Sequence, residues 1–175
     1  MGARAVSRVL VVTVSTRAAA GVYADTSGPL LVEGLTGLGL DVDGPVVVAD
    51  GEPLARALAE GVGTYDLVVT SGGTGFSPTD HTPEVTKALL DREAPGLAEA
   101  LRTYGVSNGV PTAALSRGVA GLAGDTLIIN LAGSLGAARD GLAVLGPLLP
   151  HLLDQIAGGD HPRGTDQAAR PEVAP

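Results

Sequence analysis

Residues 66–84 combine residue types that bind phosphate. An apolar run at 67–70 ends in Ser71-Gly72-Gly73-Thr74-Gly75, and a polar segment with Asp80 follows. Three glycines in four positions let the backbone take positive φ and approach a ligand closely. Successive N–H groups can then hold an anion. The loop therefore predicts a phosphate site, although a strand-to-helix turn without a ligand has the same composition. It matches neither the Walker A pattern nor Gly-x-Gly-x-x-Gly.

Two carboxylates follow neighbouring predicted strands. Asp50 comes after the second strand and Asp80 after the third. Hard oxygen ligands of this kind, completed by phosphates and water, are the usual environment of Mg²⁺. Asp80 could also offset the dipole of the helix that follows it, and Asp50 could be a solvated turn residue. The pair makes both residues candidate metal ligands.

Small and polar residues also end the other predicted strands. In an open parallel sheet, ligands bind outside the carboxyl ends of the strands, so these groups should converge on one crevice. The further candidates are Ser15 and Thr16, with Arg17, after the first strand, Asn130, Gly133 and Ser134 after the fourth, and Pro83 and Glu84 at a helix start. Asn130 could hold a heterocycle or close a turn, and Ser134 could receive an anion or cap a helix. Arg17 and Arg117 could contact an anion or lie exposed on the surface.

These groups need strands that alternate with helices to position them. β-branched apolar runs predict strands at 8–14, 45–49, 67–70 and 126–131. Helical spacing and capping residues predict helices near 26–39, 52–62, 82–91, 94–104, 134–145 and 147–156, with Thr82 as an N-cap and Pro83 at the first helical position. The segment 115–123 could be a short helix or a turn. This alternation predicts an α/β fold, a three-layer α/β/α sandwich with a mostly parallel central sheet.

One domain accounts for most of the chain. We place it at residues 1–157 and interpret residues 158–175, rich in Gly, Pro, Asp and Arg, as a disordered tail. The net charge of −8 with a single lysine argues against a nucleic-acid partner. There are no cysteines, which excludes disulfides and thiolate metal sites. The N-terminal apolar run is too short for a signal segment or a membrane span, so we expect a cytoplasmic protein without a membrane partner.

Taken together, these motifs resemble a known family. Ser71-Gly72-Gly73-Thr74-Gly75 followed by Asp80-His81-Thr82-Pro83-Glu84 is similar to the MogA/MoaB-like molybdopterin-binding domains of molybdenum cofactor biosynthesis. The pattern is also matched by Ser15-Thr16-Arg17, Gly21-Val22-Tyr23, Asp25 to Pro29, Leu115-Ser116-Arg117 and Asn130-Leu131-Ala132-Gly133-Ser134. The resemblance covers residues 7–157.

The resemblance implies a molybdopterin adenylyltransferase, which joins ATP and molybdopterin to give adenylyl-molybdopterin and pyrophosphate. It assigns Asp50 and Asp80 as the catalytic and magnesium-binding carboxylates. The glycine loop and residues 130–134 would hold the phosphate and pterin ends. It further implies a homotrimer that passes its product to a molybdate-inserting enzyme. The alternatives are a non-catalytic molybdopterin carrier and a related nucleotide pyrophosphatase.

Overall fold

The computed structural model describes residues 6–159, which form one layered α/β unit. The strands are β1 (Arg8–Val14), β2 (Asp41–Val48), β3 (Leu67–Ser71), β4 (Arg92–Glu93), β5 (Ala120–Ala123) and β6 (Thr126–Leu131). The helices are α1 (Thr16–Ala19), α2 (Ser27–Gly37), α3 (Glu52–Gly61), α4 (Thr82–Lys87), α5 (Pro95–Ser107), α6 (Leu135–Leu145) and α7 (Leu149–Ile156), with a 3₁₀ turn at Pro111–Leu115.

The six strands form a single sheet in the order β2-β1-β3-β6-β5-β4. The four strands predicted from sequence are mutually parallel, and β4 and β5 add an antiparallel edge beside β6. The predicted mostly parallel sheet is confirmed. Its parallel strands all end on the same side, so the loops that follow them lie along one edge.

Helices cover both faces of the sheet, because the side chains of each strand point alternately to one face and to the other. Val9 and Val11 pack on one face with Leu31 and Leu35 of α2, in a cluster that also includes residues of α6 and α7. On the opposite face, Val12 and its neighbours pack against α3, and all of these side chains are nearly or fully buried. This is why the parallel strands are continuous apolar runs in the sequence. The predicted three layers are confirmed.

Several element boundaries differ from the sequence prediction. Strand β2 begins at Asp41 and not at residue 45, because an edge strand tolerates Gly44 and Pro45 across a register shift. The ambiguous segment 115–123 ends as strand β5, and α4 stops at Lys87. The predicted tail lies outside the described residues from residue 160 onward. Between residues 6 and 159, no helix has the length and apolar character that crossing a bilayer requires.

Candidate active site

A cleft of about 600 Å³ lies at the carboxyl ends of β1, β2, β3 and β6. The loops after these strands form its walls, as the convergence of strand ends predicts. Eleven of the predicted site residues line it: Ser15, Thr16, Asp50, Ser71, Gly72, Gly73, Thr74, Gly75, Asp80, Gly133 and Ser134. Pro83, Glu84 and Asn130 do not line this cleft.

The glycine loop brings unpaired backbone donors to the cleft. Gly72 and Gly73 take φ of +113° and +65°, which side-chain-bearing residues rarely adopt. The Gly72 N–H donates to the Leu131 carbonyl at 3.0 Å, and the Gly73 carbonyl accepts from the Thr82 N–H at 3.2 Å. Within residues 6–159, the N–H groups of Gly73, Thr74 and Gly75 donate to no protein acceptor. Three free donors on one short loop are suited to binding an anion.

No other residue type fits at two of these positions. A Cβ at Gly73 would overlap the carboxylate of Asp50 and the hydroxyl of Thr82, and one at Gly72 would overlap the Val14 carbonyl. Gly133, from the loop after β6, approaches so closely that its Cβ would be 3.1 Å from Gly72 Cα. The glycines therefore let two loops and a carboxylate meet at the floor of the cleft.

Asp50 connects two loops at this edge of the sheet. Its Oδ2 accepts from the His81 N–H at 2.9 Å and from the Thr82 hydroxyl at 3.2 Å, and its Oδ1 accepts from the Gly51 N–H at 2.7 Å. The prediction that Thr82 is the N-cap of α4 is wrong. His81 holds the cap position without a side-chain bond, and Asp50 supplies the capping carboxylate from another loop. A carboxylate at a helix N-terminus satisfies free N–H groups and the helix dipole together.

Asp80 keeps more of its carboxylate free. Its Oδ2 accepts from the Ser77 N–H at 3.0 Å, and the same oxygen lies beside Gly75. Oδ1 accepts no hydrogen bond from the described residues, and the side chain lines the cleft. Asp80 is therefore the carboxylate that is better placed to contact a ligand or a cation.

The donor chemistry fits Mg²⁺ only with help from a substrate. Asp50 and Asp80 supply hard oxygen ligands, but no set of three or more acidic, His or Cys side chains among residues 6–159 could enclose a metal. Magnesium typically takes one or two carboxylates and completes its octahedron with phosphate oxygens and water. Two carboxylates beside a loop with free N–H donors are compatible with that requirement.

Arg117 fixes the shape of the loop that carries Asp80. Its Nε donates to the Gly75 carbonyl at 2.7 Å, one Nη donates to the Asp80 carbonyl at 2.9 Å, and the other pairs with Glu84. Its own N–H donates to the Thr74 carbonyl at 2.8 Å. All of these bonds go to the protein, so Arg117 has a structural role that differs from the two roles the sequence left open. Sequence spacing gave no signal for this role, since the partners are more than 30 residues away.

The same ion pair explains the position of Glu84, which was a candidate ligand contact. The hydrogen bond from Arg117 lowers the pKa of the Glu84 carboxyl, while partial desolvation acts in the opposite direction. A lowered pKa means that the pair forms fully above the ordinary pKa of glutamate and is lost as the pH falls through the lowered value. The ion pair between Arg117 and Glu84 is therefore fully formed at neutral pH.

Replacing Arg117 with lysine is expected to lower the kcat of a reaction catalysed in this cleft by about 10- to 100-fold. This is the loss of rate expected when a reacting group is misplaced by about 1 Å. A single ammonium cannot reproduce the planar fork that joins Gly75 to Asp80. Arg56→Lys is the matched control, because Arg56 pairs with Glu52 in solvent. Steady-state kinetics of both variants, compared with wild type, provide the measurement. If Arg117→Lys and Arg56→Lys behave alike, Arg117 does not position the loop.

Asn130 lies inside the fold, where it does not line this cleft but borders a smaller cavity beside it. It is 3% exposed. Its Nδ2 donates to the hydroxyls of Thr70 and Thr86, at 3.0 Å each, and its Oδ1 accepts from the Val119 N–H at 3.2 Å. The side chain thus joins β6 to β3, α4 and the segment before β5. Pro83 is also buried, in the first turn of α4.

We expect Asn130→Ala to reduce the free energy of unfolding by about 1–3 kcal/mol, because it leaves buried polar groups without partners. Urea unfolding followed by circular dichroism measures this change. Asn108→Ala is the control, since Asn108 is exposed and makes one bond, to the Tyr104 carbonyl. An Asn130→Ala protein with wild-type stability but impaired ligand binding would instead show that Asn130 contacts the ligand.

The sequence analysis assigned no binding role to Tyr23 or Asp25, which line one wall of the cleft. Asp25 accepts from the Thr13 hydroxyl at 2.6 Å and from the N–H groups of Ser27 and Gly28, so it caps α2. Tyr23 contacts Ser15 through a 2.7 Å hydroxyl hydrogen bond, and both residues line the cleft. An aspartate that accepts from the N–H groups two and three residues later is a recognisable capping pattern. It did not indicate that Asp25 also faces the cleft.

Comparison with known proteins places this cleft in context. Residues 10–151 match the family model described as "Probable molybdopterin binding domain". A molybdopterin adenylyltransferase of Helicobacter pylori is 37% identical over 153 residues, which are 85% of this chain and 86% of that protein. A solved structure of a molybdopterin biosynthesis protein from Mycobacterium abscessus is 49% identical, with a TM-score of 0.83 over 87% of this chain and 97% of the other.

Other relatives are much longer than this chain. The molybdenum cofactor synthesis protein cinnamon of Drosophila melanogaster is 38% identical over 136 residues, 75% of this chain but only 22% of that protein. A bifunctional molybdenum cofactor biosynthesis protein of Synechococcus elongatus is matched over 48% of its length. The chain therefore spans half or less of these two relatives and nearly all of the shorter ones.

Proposed function

The chain belongs to the MogA/MoaB-like molybdopterin-binding family of molybdenum cofactor biosynthesis, and we propose that it is a molybdopterin adenylyltransferase. In this reaction an oxygen of molybdopterin attacks the α-phosphorus of ATP. A new P–O bond forms, the bond between the α-phosphorus and its bridging oxygen breaks, and pyrophosphate leaves. The name of the Helicobacter pylori relative supports this activity.

One observation carries the proposal. The free N–H groups of Gly73, Thr74 and Gly75 lie in the same cleft as the partly free carboxylate of Asp80. Phosphoryl-type transfer depends mainly on positioning and on charge stabilisation and needs no protein nucleophile. An anion-binding loop beside a carboxylate that can hold a cation provides both.

Asp50 and Asp80 are the residues that would hold Mg²⁺, together with phosphate oxygens of ATP and water. When bound, magnesium neutralises charge on the transferred and leaving phosphates. The loop N–H groups would bind phosphate oxygens directly. Ser134, whose hydroxyl caps α6 through the Ala137 N–H at 3.1 Å, borders the same cleft and places a helix N-terminus near the ligand.

Incubation with ATP, Mg²⁺ and molybdopterin, followed by mass analysis, tests this proposal. Adenylyl-molybdopterin with stoichiometric pyrophosphate is the expected product. Unchanged ATP with bound molybdopterin would indicate the carrier, and ATP breakdown that does not require molybdopterin would indicate the pyrophosphatase. Omission of Mg²⁺ is the control and should abolish product.

The assembly and location of the protein are further proposals that rest on the family resemblance. We propose a homotrimer in the cytoplasm that hands its product to a molybdate-inserting enzyme. Sedimentation velocity tests the first point, and a monomer at assay concentration would contradict it.

A further inference from the structure

A third cavity, of about 330 Å³, lies among the end of α4, strand β4, α5 and the segment before β5. Three basic side chains line it, those of Lys87, Arg102 and Arg117. Lys87 and Arg117 line neither the main cleft nor the smaller cavity beside it. Ser116 is the one residue that this cavity shares with the lining of the main cleft, so it is a separate space.

The positive charge around this cavity contrasts with the acidic character of the chain. The net charge is −8, and Lys87 is the only lysine. Glu93 is the one acidic residue in the lining. Arg117 pairs with Glu84, whereas Lys87 and Arg102 form no ion pair with any residue between 6 and 159. Two unpaired cations beside a single carboxylate favour an anionic ligand.

The two arginines of the cavity are held in a fixed relation to each other. Nη1 of Arg102 donates to the carbonyls of Ser116 and Gly118, at 3.3 and 3.1 Å, and these two residues flank Arg117 in the chain. Arg117 is itself fixed, through its Nε, both of its Nη atoms and its backbone N–H. A site whose donors are positioned before binding loses little conformational freedom when a ligand arrives.

Several N–H groups of the cavity remain available. A guanidinium carries five N–H donors. Arg102 uses only Nη1, so its Nε and Nη2 donate to no acceptor between residues 6 and 159. The Lys87 ammonium also donates to no acceptor in that part of the chain. Paired guanidinium N–H groups match the spacing of two oxygens on a phosphate, which makes a phosphate group a well-suited ligand.

The helix dipole explains only part of this arrangement. Lys87 lies in the last turn of α4, where a cation offsets the negative end of the dipole without any ligand. The dipole of α4 does not account for Arg102, which comes from α5 and keeps a donor pair unused. Nor does it account for the open space that both side chains line. An anion in the cavity accounts for all three.

We propose that Lys87, Arg102 and Arg117 form a second phosphate-binding site, outside the main cleft, for free phosphate or a phosphate ester. Arg102 binds two phosphate oxygens through Nε and Nη2, and the exposed Lys87 closes over the anion. A phosphate ester carries a charge of about −1.5 to −2 at neutral pH, which matches the two unpaired cations. The inference does not depend on the proposed function, so either can fail without the other.

The single lysine allows a direct test with the full chain. Reductive methylation with isotope-labelled formaldehyde marks only Lys87 and the N-terminal amine, and both keep their charge. Titration with inorganic phosphate at constant ionic strength should shift the NMR signal of Lys87 to saturation, whereas the signal of the N-terminal amine should stay in place. Acetate, which carries one charge, should give no saturable shift. Glycerol 3-phosphate, titrated in parallel, shows by its relative affinity whether the site prefers an ester or free phosphate.

Three variants assign the binding to this cavity. Arg102→Gln should weaken phosphate binding by about 10- to 100-fold, the loss expected for hydrogen bonds to a charged group. Glu93→Gln removes the like charge from the lining and should tighten binding by about 2- to 5-fold, a gain that misfolding cannot produce. Arg139→Gln is the matched control, because Arg139 is exposed on α6 and does not line this cavity. It should bind phosphate like wild type.

Several results would overturn the inference. They are a Lys87 signal that phosphate leaves unchanged, a shift with acetate equal to that with phosphate, and wild-type affinity in folded Arg102→Gln. If Arg102→Gln does not fold, Glu93→Gln decides, and an unchanged or weaker affinity in that variant would reject the site. A Lys87 signal that follows the protein concentration and not the anion would also reject it, and would show that a second copy meets these cations.

Discussion

Replacing Asp80 with asparagine is expected to lower the rate of adenylyl transfer by about 100- to 1,000-fold, the loss typical of removing one preorganised electrostatic group. The fold should survive, because the only hydrogen bond from the described residues to this carboxylate comes from the Ser77 N–H, and the oxygen of an amide can accept it equally well. The charge that faces the cleft is lost, and with it one of the two carboxylates that we propose hold Mg²⁺.

Single-turnover rates with saturating ATP and Mg²⁺ measure this effect. Asp125→Asn is the matched control, because Asp125 is an exposed carboxylate in the turn between β5 and β6. It should keep wild-type activity. The unfolding midpoint of Asp80→Asn should equal that of the control. Turnover of Asp80→Asn near the wild-type rate would show that Asp80 takes no part in catalysis.

Asp50→Asn is expected to lose activity to a similar degree and also to lose about 1–3 kcal/mol of stability. Both oxygens of Asp50 accept N–H bonds, from Gly51 and from His81. An asparagine must turn its NH₂ toward one of these donors, which leaves that donor unsatisfied. The start of α4 and the loop before it should loosen together.

Urea unfolding of Asp50→Asn and Asp80→Asn, measured alongside transfer rates, separates the two roles. We expect only Asp50→Asn to shift the unfolding midpoint. If Asp50→Asn is as stable as wild type, the capping bonds contribute little and Asp50 acts on the ligand alone. If it is unstable but fully active once folded, its role is structural.

The sequence predicted the parts of this protein that depend on local pattern. Apolar runs identified all four parallel strands, because strands buried on both faces are continuous in sequence. Convergence of strand ends then placed Asp50, Asp80 and the glycine loop in one cleft. Strands β4 and β5 were missed because they have only two and four residues, and these include no β-branched or aromatic side chain.

The rest depended on contacts between residues far apart in the chain. The sequence did not indicate that Asp50 binds the start of α4, because its partners, at positions 81 and 82, are about 30 residues away. Arg117 and Asn130 each had two possible roles in the sequence, and both instead join segments that are far apart in the chain. The smaller cavity beside the cleft exists only once α5 packs near α6, so no spacing within either helix indicates it.

ATP labelled at the α-phosphorus, incubated with Mg²⁺, molybdopterin and the protein, tests the central claim most directly. We predict that the α label appears in a pterin-containing product, that the β and γ phosphates leave together as pyrophosphate, and that Asp80→Asn blocks both. Release of the α label as free AMP or ADP, with unmodified molybdopterin, would contradict the assignment of this cleft to adenylyl transfer.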